Sequence, residues 1–256
     1  FCFGDLMDFK GSRTLITGAS RGIGRAIALA LAERGGKVGI NYVNNAAAAA
    51  DVVREVQARG SEALLLQGDV ADKEQAESIV QQFVEHYGGI DALVNNAGSA
   101  MNGTIFTLTD EDWQHTIGVH VNGAFYCTRA AARHMIEQKH GRIVNMSSVA
   151  ALRGVPNATA YAMVKAALVS FTQCTAMDLA DYGITVNAVC PGLIDTDFHA
   201  ATPSDKRAYN TEKRVPLHRY GTAGEVAEAA LFMLQSDFIT GETIVVDGGM
   251  SMRITQ

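Results

Sequence analysis

Short apolar runs bounded by turn-forming residues alternate along the chain with longer stretches of helical periodicity. Thr14–Thr17 reads as a short buried strand. Gly22–Arg34 follows as a helix with Ile23, Ala26, Ile27, Ala30 and Leu31 on one face. Val38–Tyr42 is the next strand, and Asn45–Arg59 the next helix, its Ala46–Ala50 run being strongly helix-forming. Ala63–Gln67 reads as a strand, Lys73–Tyr87 as its crossover helix and Ala92–Asn95 as a fourth strand. Asp110–Gln138 reads as one long helical segment capped by Thr109 or Asp110. Arg142–Met146 is the fifth strand and Ala158–Tyr182 a helix. Thr185–Val189 and Thr243–Val246 are the sixth and seventh strands, separated by an irregular stretch, Leu193–Thr222, and a helix, Ala223–Leu234. Strict alternation of strand and helix predicts an α/β fold, a doubly wound parallel sheet of seven strands with helices on both faces. No linker, repeat or low-complexity region interrupts it, so one domain is expected. In such a sheet a cofactor lies over the carboxyl ends of the strands.

Composition adds limits. The chain has 256 residues, 48% of them hydrophobic and 19% charged, which suits a globular protein with a large core. A net charge of −6 and the lack of any Lys/Arg run argue against nucleic acid as a partner. No apolar stretch approaches the roughly 18 residues of a membrane span. The N-terminus lacks a basic region followed by an apolar core, so no secretory signal is read and a cytoplasmic location is expected. Cys2, Cys127, Cys174 and Cys190 form no CxxC pair and are read as buried free thiols. His134 and Glu137 stand at helical spacing with no third ligand near and are read as a solvated face. No metal is expected.

Three motifs carry chemistry. Thr17-Gly18-Ala19-Ser20-Arg21-Gly22-Ile23-Gly24 places glycines in a strand-to-helix turn, where the backbone can approach a pyrophosphate and a helix N-terminus offers free N–H groups. Tyr161 and Lys165, at i and i+4, share one helix face, where an ammonium can lower the pKa of a phenol. Ser148, next to Ser147, lies thirteen residues before Tyr161. Each is weak alone; a half-buried aromatic, a solvated lysine and a turn serine are the ordinary alternatives.

Together these motifs resemble the classical short-chain dehydrogenase/reductase family. The resemblance runs from about Asp8 to Met252 and includes Asn95-Asn96-Ala97-Gly98, Pro191-Gly192 followed by Thr196, and Val246-Asp247-Gly248-Gly249. Val215-Pro216-Leu217-His218-Arg219-Tyr220-Gly221 is similar to a stretch of the 3-oxoacyl-carrier-protein reductases. The resemblance implies a Rossmann-type fold over residues 7–256, with residues 1–6 as an N-terminal extension, non-native in one reading, outside the fold. It implies hydride transfer between a nicotinamide and a carbonyl or secondary alcohol. Tyr161 would be general acid in reduction and base in oxidation, Lys165 would hold the ribose and favour phenolate, and Ser148 would hydrogen-bond the carbonyl oxygen. Gly18, Ser20, Arg21, Gly22, Ile23, Gly24 and Asn41 would form the cofactor turn. Asp69 and Val70 would flank the adenine, though Asp69 also reads as a strand-end cap. Asn96, Ala97 and Gly98 would line the ribose side, with Pro191, Gly192, Ile194 and Thr196 on the nicotinamide side.

Cofactor choice is read after the second strand, where an acid would bind the ribose 2′-OH of NAD. This chain reads Asn41-Tyr42-Val43-Asn44-Asn45 there, with the next acid at Asp51. Arg21 in the glycine turn suits a 2′-phosphate, so NADP(H) is expected over NAD(H); the alternative for Arg21 is a solvated surface charge. A departure stands at His120. The family carries Asn seven residues after the helix Trp, here Trp113, and that Asn supports a water leading to the Lys largely through its main-chain carbonyl. Asn122 is two residues off, on another face. His120 would keep the carbonyl role, add a titrating group to the relay, or simply pack.

The segment Leu193–Thr222 usually closes over substrate in this family. Lys206, Arg207, Lys213, Arg214 and Arg219 make it basic against Asp205 and Glu212; a solvated loop is preferred over a site for an acidic or phosphate-bearing substrate. A carrier-protein reductase would also want a basic docking patch, of which Lys139 is present while Tyr182 stands where Arg is expected. The substrate is therefore a small or acyl-carrier-bound carbonyl compound. The rivals are a sugar or polyol dehydrogenase, a dinucleotide-binding sensor without catalysis, and a scaffold acting through its oligomer. The family resemblance implies a homotetramer.

Overall fold

Strand β1 (Arg13–Ile16) shows why the sheet is buried on both sides. Leu15 and Ile16 are consecutive, both fully buried, and join different apolar clusters. Successive strand residues point to opposite faces, so a run without alternation needs cover on each. Leu93 and Val94 divide in the same way on β4 (Ala92–Asn95), as do Ile143 and Val144 on β5 (Gly141–Met146). The computed structural model describes residues 7–200 and 202–252. The expected extension, residues 1–6, and Cys2 within it lie outside the described residues.

The other strands of the main sheet are β2 (Lys37–Tyr42), β3 (Ala63–Gln67), β6 (Ile184–Pro191) and β9 (Thr243–Val246). The order is β3-β2-β1-β4-β5-β6-β9, and every neighbouring pair is parallel. The predicted doubly wound seven-stranded sheet is present. Winding reverses between β1 and β4, where Ile16 pairs with Val94, and that crevice is where ligands bind in such sheets. A bidentate ion pair ties the two strands at their far end. Arg13 donates from its N–H and Nε to Asp91 at 2.8 Å, and from Nη2 at 2.6 Å.

Helices α1 (Gly22–Glu33), α2 (Ala46–Ala58) and α8 (Ala223–Gln235) cover one face, and α3 (Lys73–Tyr87), α5 (Gly123–Gln138) and α6 (Thr159–Leu179) the other. Asn45 and Asp72 cap α2 and α3 through side-chain oxygens that accept from Ala48 and Gln75 N–H groups. Phe83 on α3 is fully buried against the sheet; its loss would cost roughly 3–5 kcal/mol. Among the described residues no helix is long and apolar enough to cross a membrane.

Two sequence expectations need correction and one gains detail. The segment 110–138 is helical throughout, as expected, but α4 (Asp110–Ile117), capped by Thr109, passes through a π-helical turn at Gly118–Asn122 before α5 begins. Gly118 and Gly123 bracket that turn, and a Cβ on Gly123 would stand 2.7 Å from Val70, so the chain passes close to the end of β3 there. Leu193–Thr222 is not irregular. It contains a small parallel pair, β7 (Ile194–Asp195) and β8 (Gly221–Thr222), α7 (Ser204–Tyr209) and a π-helical turn at Asn210–Arg214. Polar contacts rather than an apolar stripe hold this segment, so periodicity could not reveal it. Cys127 and Cys190 are buried, but Cys174 is exposed.

Candidate active site

The glycine turn is locked from two sides. Gly18 N–H donates to Asn41 Oδ1 at 3.1 Å, and Ala19 N–H to the Asn41 carbonyl at 2.9 Å. Asn41 Nδ2 also donates to the Leu66 and Gly68 carbonyls. From β4, Asn96 Nδ2 donates to the Thr17 and Gly18 carbonyls at 2.9 and 3.0 Å. Thr17 Oγ1 accepts from the Asn96 and Ala97 N–H groups. Gly18 has φ +61° and a Cβ there would meet Ala97 Cα at 2.8 Å, so no side chain fits. The amides of Asn41 and Asn96 are thus committed to backbone groups. Asn41, expected as part of the cofactor turn, is 1% exposed and shapes that turn from beneath.

Helix α1 opens at Gly22 with no side-chain cap from Arg21. Its first-turn N–H groups therefore have no partner in the helix and sit at its positive end. Ser20 and Ile23 are half-buried in the same turn, Ile23 against the core. Thr196, distant in sequence, closes the other side: a Cβ on Gly22 would lie 3.8 Å from its side chain. Arg21 is exposed and in no ion pair among the described residues. Beyond β2, Asn45 caps α2, and Asp51, the first acid after the strand, is already paired with Arg54. Asp69 Oδ1 accepts from Ala71 N–H, the strand-end cap the sequence allowed, and Val70 is buried. Gly192 N–H donates to the Val246 carbonyl at 2.9 Å, joining the ends of β6 and β9, while Ile194 is 3% exposed in β7. These residues fit a phosphorylated dinucleotide: a locked glycine turn, an uncapped helix end and a cation in no ion pair among the described residues.

Ser148, Tyr161 and Lys165 converge at the end of β5. Ser148 caps a short 3-10 turn, Val149–Ala151, its Oγ accepting from Ala150 N–H at 3.2 Å. Ser147 points elsewhere, its Oγ donating to the Lys165 carbonyl at 2.7 Å. Lys165 lies one turn after Tyr161 on α6, with Nζ 5.6 Å from the ring centroid. Nζ donates to the Met146 carbonyl at 2.7 Å. Burial raises the Tyr161 pKa and the Ser148 hydroxyl opposes it. Burial also lowers Lys165 from 10.5 to about 8. Phe198, which sequence reasoning missed, stands 6.0 Å from the Tyr161 ring; its only signal was an aromatic shortly after Thr196.

His120 sits in the π-helical turn, 2% exposed, edge-on to Tyr161 at 5.8 Å. Nε2 lies 3.1 Å from the Ser99 carbonyl and 3.3 Å from its N–H, while Nδ1 is buried without a partner. A Cβ on Gly98 would stand 2.4 Å from the imidazole, so the Asn96–Ser99 strip lies directly on the ring. Burial, helped by the Lys165 charge and opposed by Ser99, lowers its pKa to about 3. The imidazole is neutral at physiological pH. Asn122 is half-buried in the same turn.

The segment between β7 and β8 reaches Tyr161 through Phe198. His199 rests edge-on to Tyr220 at 5.9 Å, and Tyr220 Oη accepts from the buried Asn210 Nδ2 at 2.8 Å. Arg207 pairs with Asp195 at 2.8 Å and stacks 4.3 Å from the Tyr220 ring. Arg219 pairs with Glu225 at 2.5 Å and lowers that carboxyl to about 2. The Val215–Gly221 stretch thus ties the segment to α8.

The family model described as enoyl-(acyl carrier protein) reductase matches residues 18–251. A 3-oxoacyl-(acyl-carrier-protein) reductase of Synechocystis is 42% identical over 93% of this chain and 96% of its own length. One from Staphylococcus aureus is 38% identical over 93% and 97%. Among solved structures, a gluconate 5-dehydrogenase from Burkholderia cenocepacia, in complex with NADP and tartrate, superposes with a TM-score of 0.90 at 35% identity, over 96% of this chain and 98% of that one. A variant of a Serratia marcescens short-chain dehydrogenase/reductase gives 0.90 at 34% identity, over 96% and 100%. With such matches across nearly its whole length, the chain belongs to the short-chain dehydrogenase/reductase family and is an oxidoreductase.

Proposed function

We propose that the chain reduces a ketone with NADPH, or oxidises the matching secondary alcohol with NADP, and acts on 3-oxoacyl groups as its reductase relatives are named for doing. The observation that carries this is the convergence of Ser148, Tyr161 and Lys165 beside the glycine turn. When bound, the nicotinamide supplies or accepts the hydride. Tyr161 gives its phenolic proton to the substrate oxygen in reduction and takes it back in oxidation. Ser148 hydrogen-bonds that oxygen as its charge grows. Lys165 holds the ribose hydroxyls, and Arg21 meets the 2′-phosphate. His120 contributes as a neutral, packed ring.

A second reading, oxidation of a sugar acid or polyol, is favoured by the incomplete docking patch. Lys139 is exposed in a left-handed C-cap, and Tyr182, 43% exposed, stands where the patch needs a cation. The gluconate 5-dehydrogenase likeness points the same way. Exposed Phe125, Met177 and Phe232 on three helices offer apolar surface for the expected homotetramer. Buried free Cys127 and Cys190 suit the cytoplasm.

Following NADPH consumption with 3-oxoacyl thioesters, simple ketones and keto-sugars tests both readings. Tyr161→Phe should lower kcat by at least a hundredfold while NADPH still binds, since the ring remains and only the proton donor is lost. A variant that reduces its best ketone at near the wild-type rate would overturn the mechanism.

A further inference from the structure

Most cations of the segment between β7 and β8 are accounted for. Arg207 and Arg219 have carboxylate partners, and Lys206 and Lys213 are exposed to water. Two arginines differ. Arg153 follows the 3-10 turn that Ser148 caps, is half-buried, and donates from Nη1 to the Met250 carbonyl at 3.2 Å. Arg214 closes the π-helical turn, is half-buried, and donates from Nη1 to Asn210 Oδ1 at 3.0 Å. Their anchors are neutral oxygens, and among the described residues neither has an ion-pair partner.

The fold holds the two guanidiniums together. Val149, Val215 and Met250 form one apolar cluster with Leu193 packed on it, which brings the residues before Arg153 and after Arg214 side by side. The charges oppose each other: Arg214 is shifted downward by burial first and by Arg153 second. Arg214 also lies near His199, lowering its pKa after burial and Arg207 have done so. His199 follows Phe198, which rests against Tyr161. Arg153 itself lies five residues beyond Ser148, just past the 3-10 turn that Ser148 caps. Two like charges drawn partly out of water are unfavourable until an anion joins them. Both forks have N–H groups left to offer, and guanidinium forks suit carboxylate and phosphate oxygens.

We propose that Arg153 and Arg214 form an anion subsite at the substrate mouth, which binds a carboxylate or phosphate carried by the carbonyl substrate. The inference rests on the carbonyl-reductase reading and narrows its substrate class. The carboxylate would belong to a small oxo acid, the phosphate to the arm of an acyl thioester.

Two substrate pairs test it on the full-length chain with NADPH: a 3-oxo acid against its methyl ester, and a 3-oxoacyl coenzyme A against the N-acetylcysteamine thioester. The wild type should prefer the charged member of at least one pair by roughly tenfold or more in kcat/KM, the scale of one charge-assisted contact. The preferred pair assigns carboxylate or phosphate. Arg153→Gln and Arg214→Gln should each remove most of that preference, chiefly through KM, and Arg214→Lys should keep part of it. Melting curves establish that each variant is folded. The subsite is overturned by equal rates within both pairs. It is overturned equally by Gln variants that keep the preference, or that change the oligomer's mass, since a partner carboxylate would then be the anion. Turnover of neutral members without discrimination sinks the subsite alone; no turnover of any member sinks the carbonyl-reductase reading with it.

Discussion

Tyr161 must lose a proton to work as a base, yet its own surroundings raise its pKa. A nearby positive charge opposes that rise, and Lys165 stands with Nζ 5.6 Å from the ring. His120 does not supply that charge. Its pKa of about 3 means the folded protein binds no proton there between pH 6.5 and 3, while the unfolded chain does. More protons on the unfolded state mean that stability falls as pH drops through this window. His120→Asn should reduce that fall, and urea melts at several pH values read it out. The mutant's kcat–pH profile should keep the wild-type shape, with no step near 6.5 to lose. A step present in the wild type and absent in the mutant would put the imidazole in the relay. The nearness of Tyr161 to Lys165 was legible in sequence because helix periodicity alone joins them, whereas Ser148 is brought beside them by the end of β5. The state of His120 was not legible, because it depends on burial by Gly98, Ser99 and Tyr161, which only the tertiary fold brings together.

Elements with an apolar face were legible, and those held by polar contacts were not. β5 and α6 follow their patterns to within a few residues. The π-helical turn at Gly118–Asn122 leaves the hydrophobic pattern almost continuous, so one long helical segment was expected. The segment between β7 and β8 depends on single side chains, above all Glu225. That carboxylate completes the capping box of α8 with Thr222 and also receives Arg219. Thr222→Ala should lower stability by about 1 kcal/mol, as N-cap losses do. It should also raise substrate KM several-fold by loosening Arg219, with NADPH affinity unchanged, since no cofactor contact is proposed there. A chemical melt and a KM determination check this. Unchanged KM would mean that the α8 cap and the segment between β7 and β8 are independent.

At the scale of the molecule, the count and direction of the main sheet's strands followed from alternation, while their order around β1 and β4 came only with the structure. What alternation could not convey is which side chains face the crevice. Asn41 and Asn96 turned out to hold the turn, leaving Arg21 as its one free charge among the described residues. Cofactor preference should therefore appear as a property of the whole fold's stability. A ligand that binds only the folded state stabilises it by RT ln(1 + [L]/Kd), about 2.7 kcal/mol at a hundredfold excess over Kd. For a chain of this size each kcal/mol moves Tm by roughly 2–4 °C. NADPH should then raise Tm by roughly 5–10 °C at that excess, and NADH at the same concentration by several degrees less, since a tenfold weaker Kd removes about 1.4 kcal/mol. Arg21→Ala should shrink the NADPH shift and leave the NADH shift as it was, because only one of the two ligands carries the phosphate that the guanidinium meets. Thermal melts of both proteins with each nucleotide decide it, and equal shifts in the wild type would show that Arg21 is only a solvated charge.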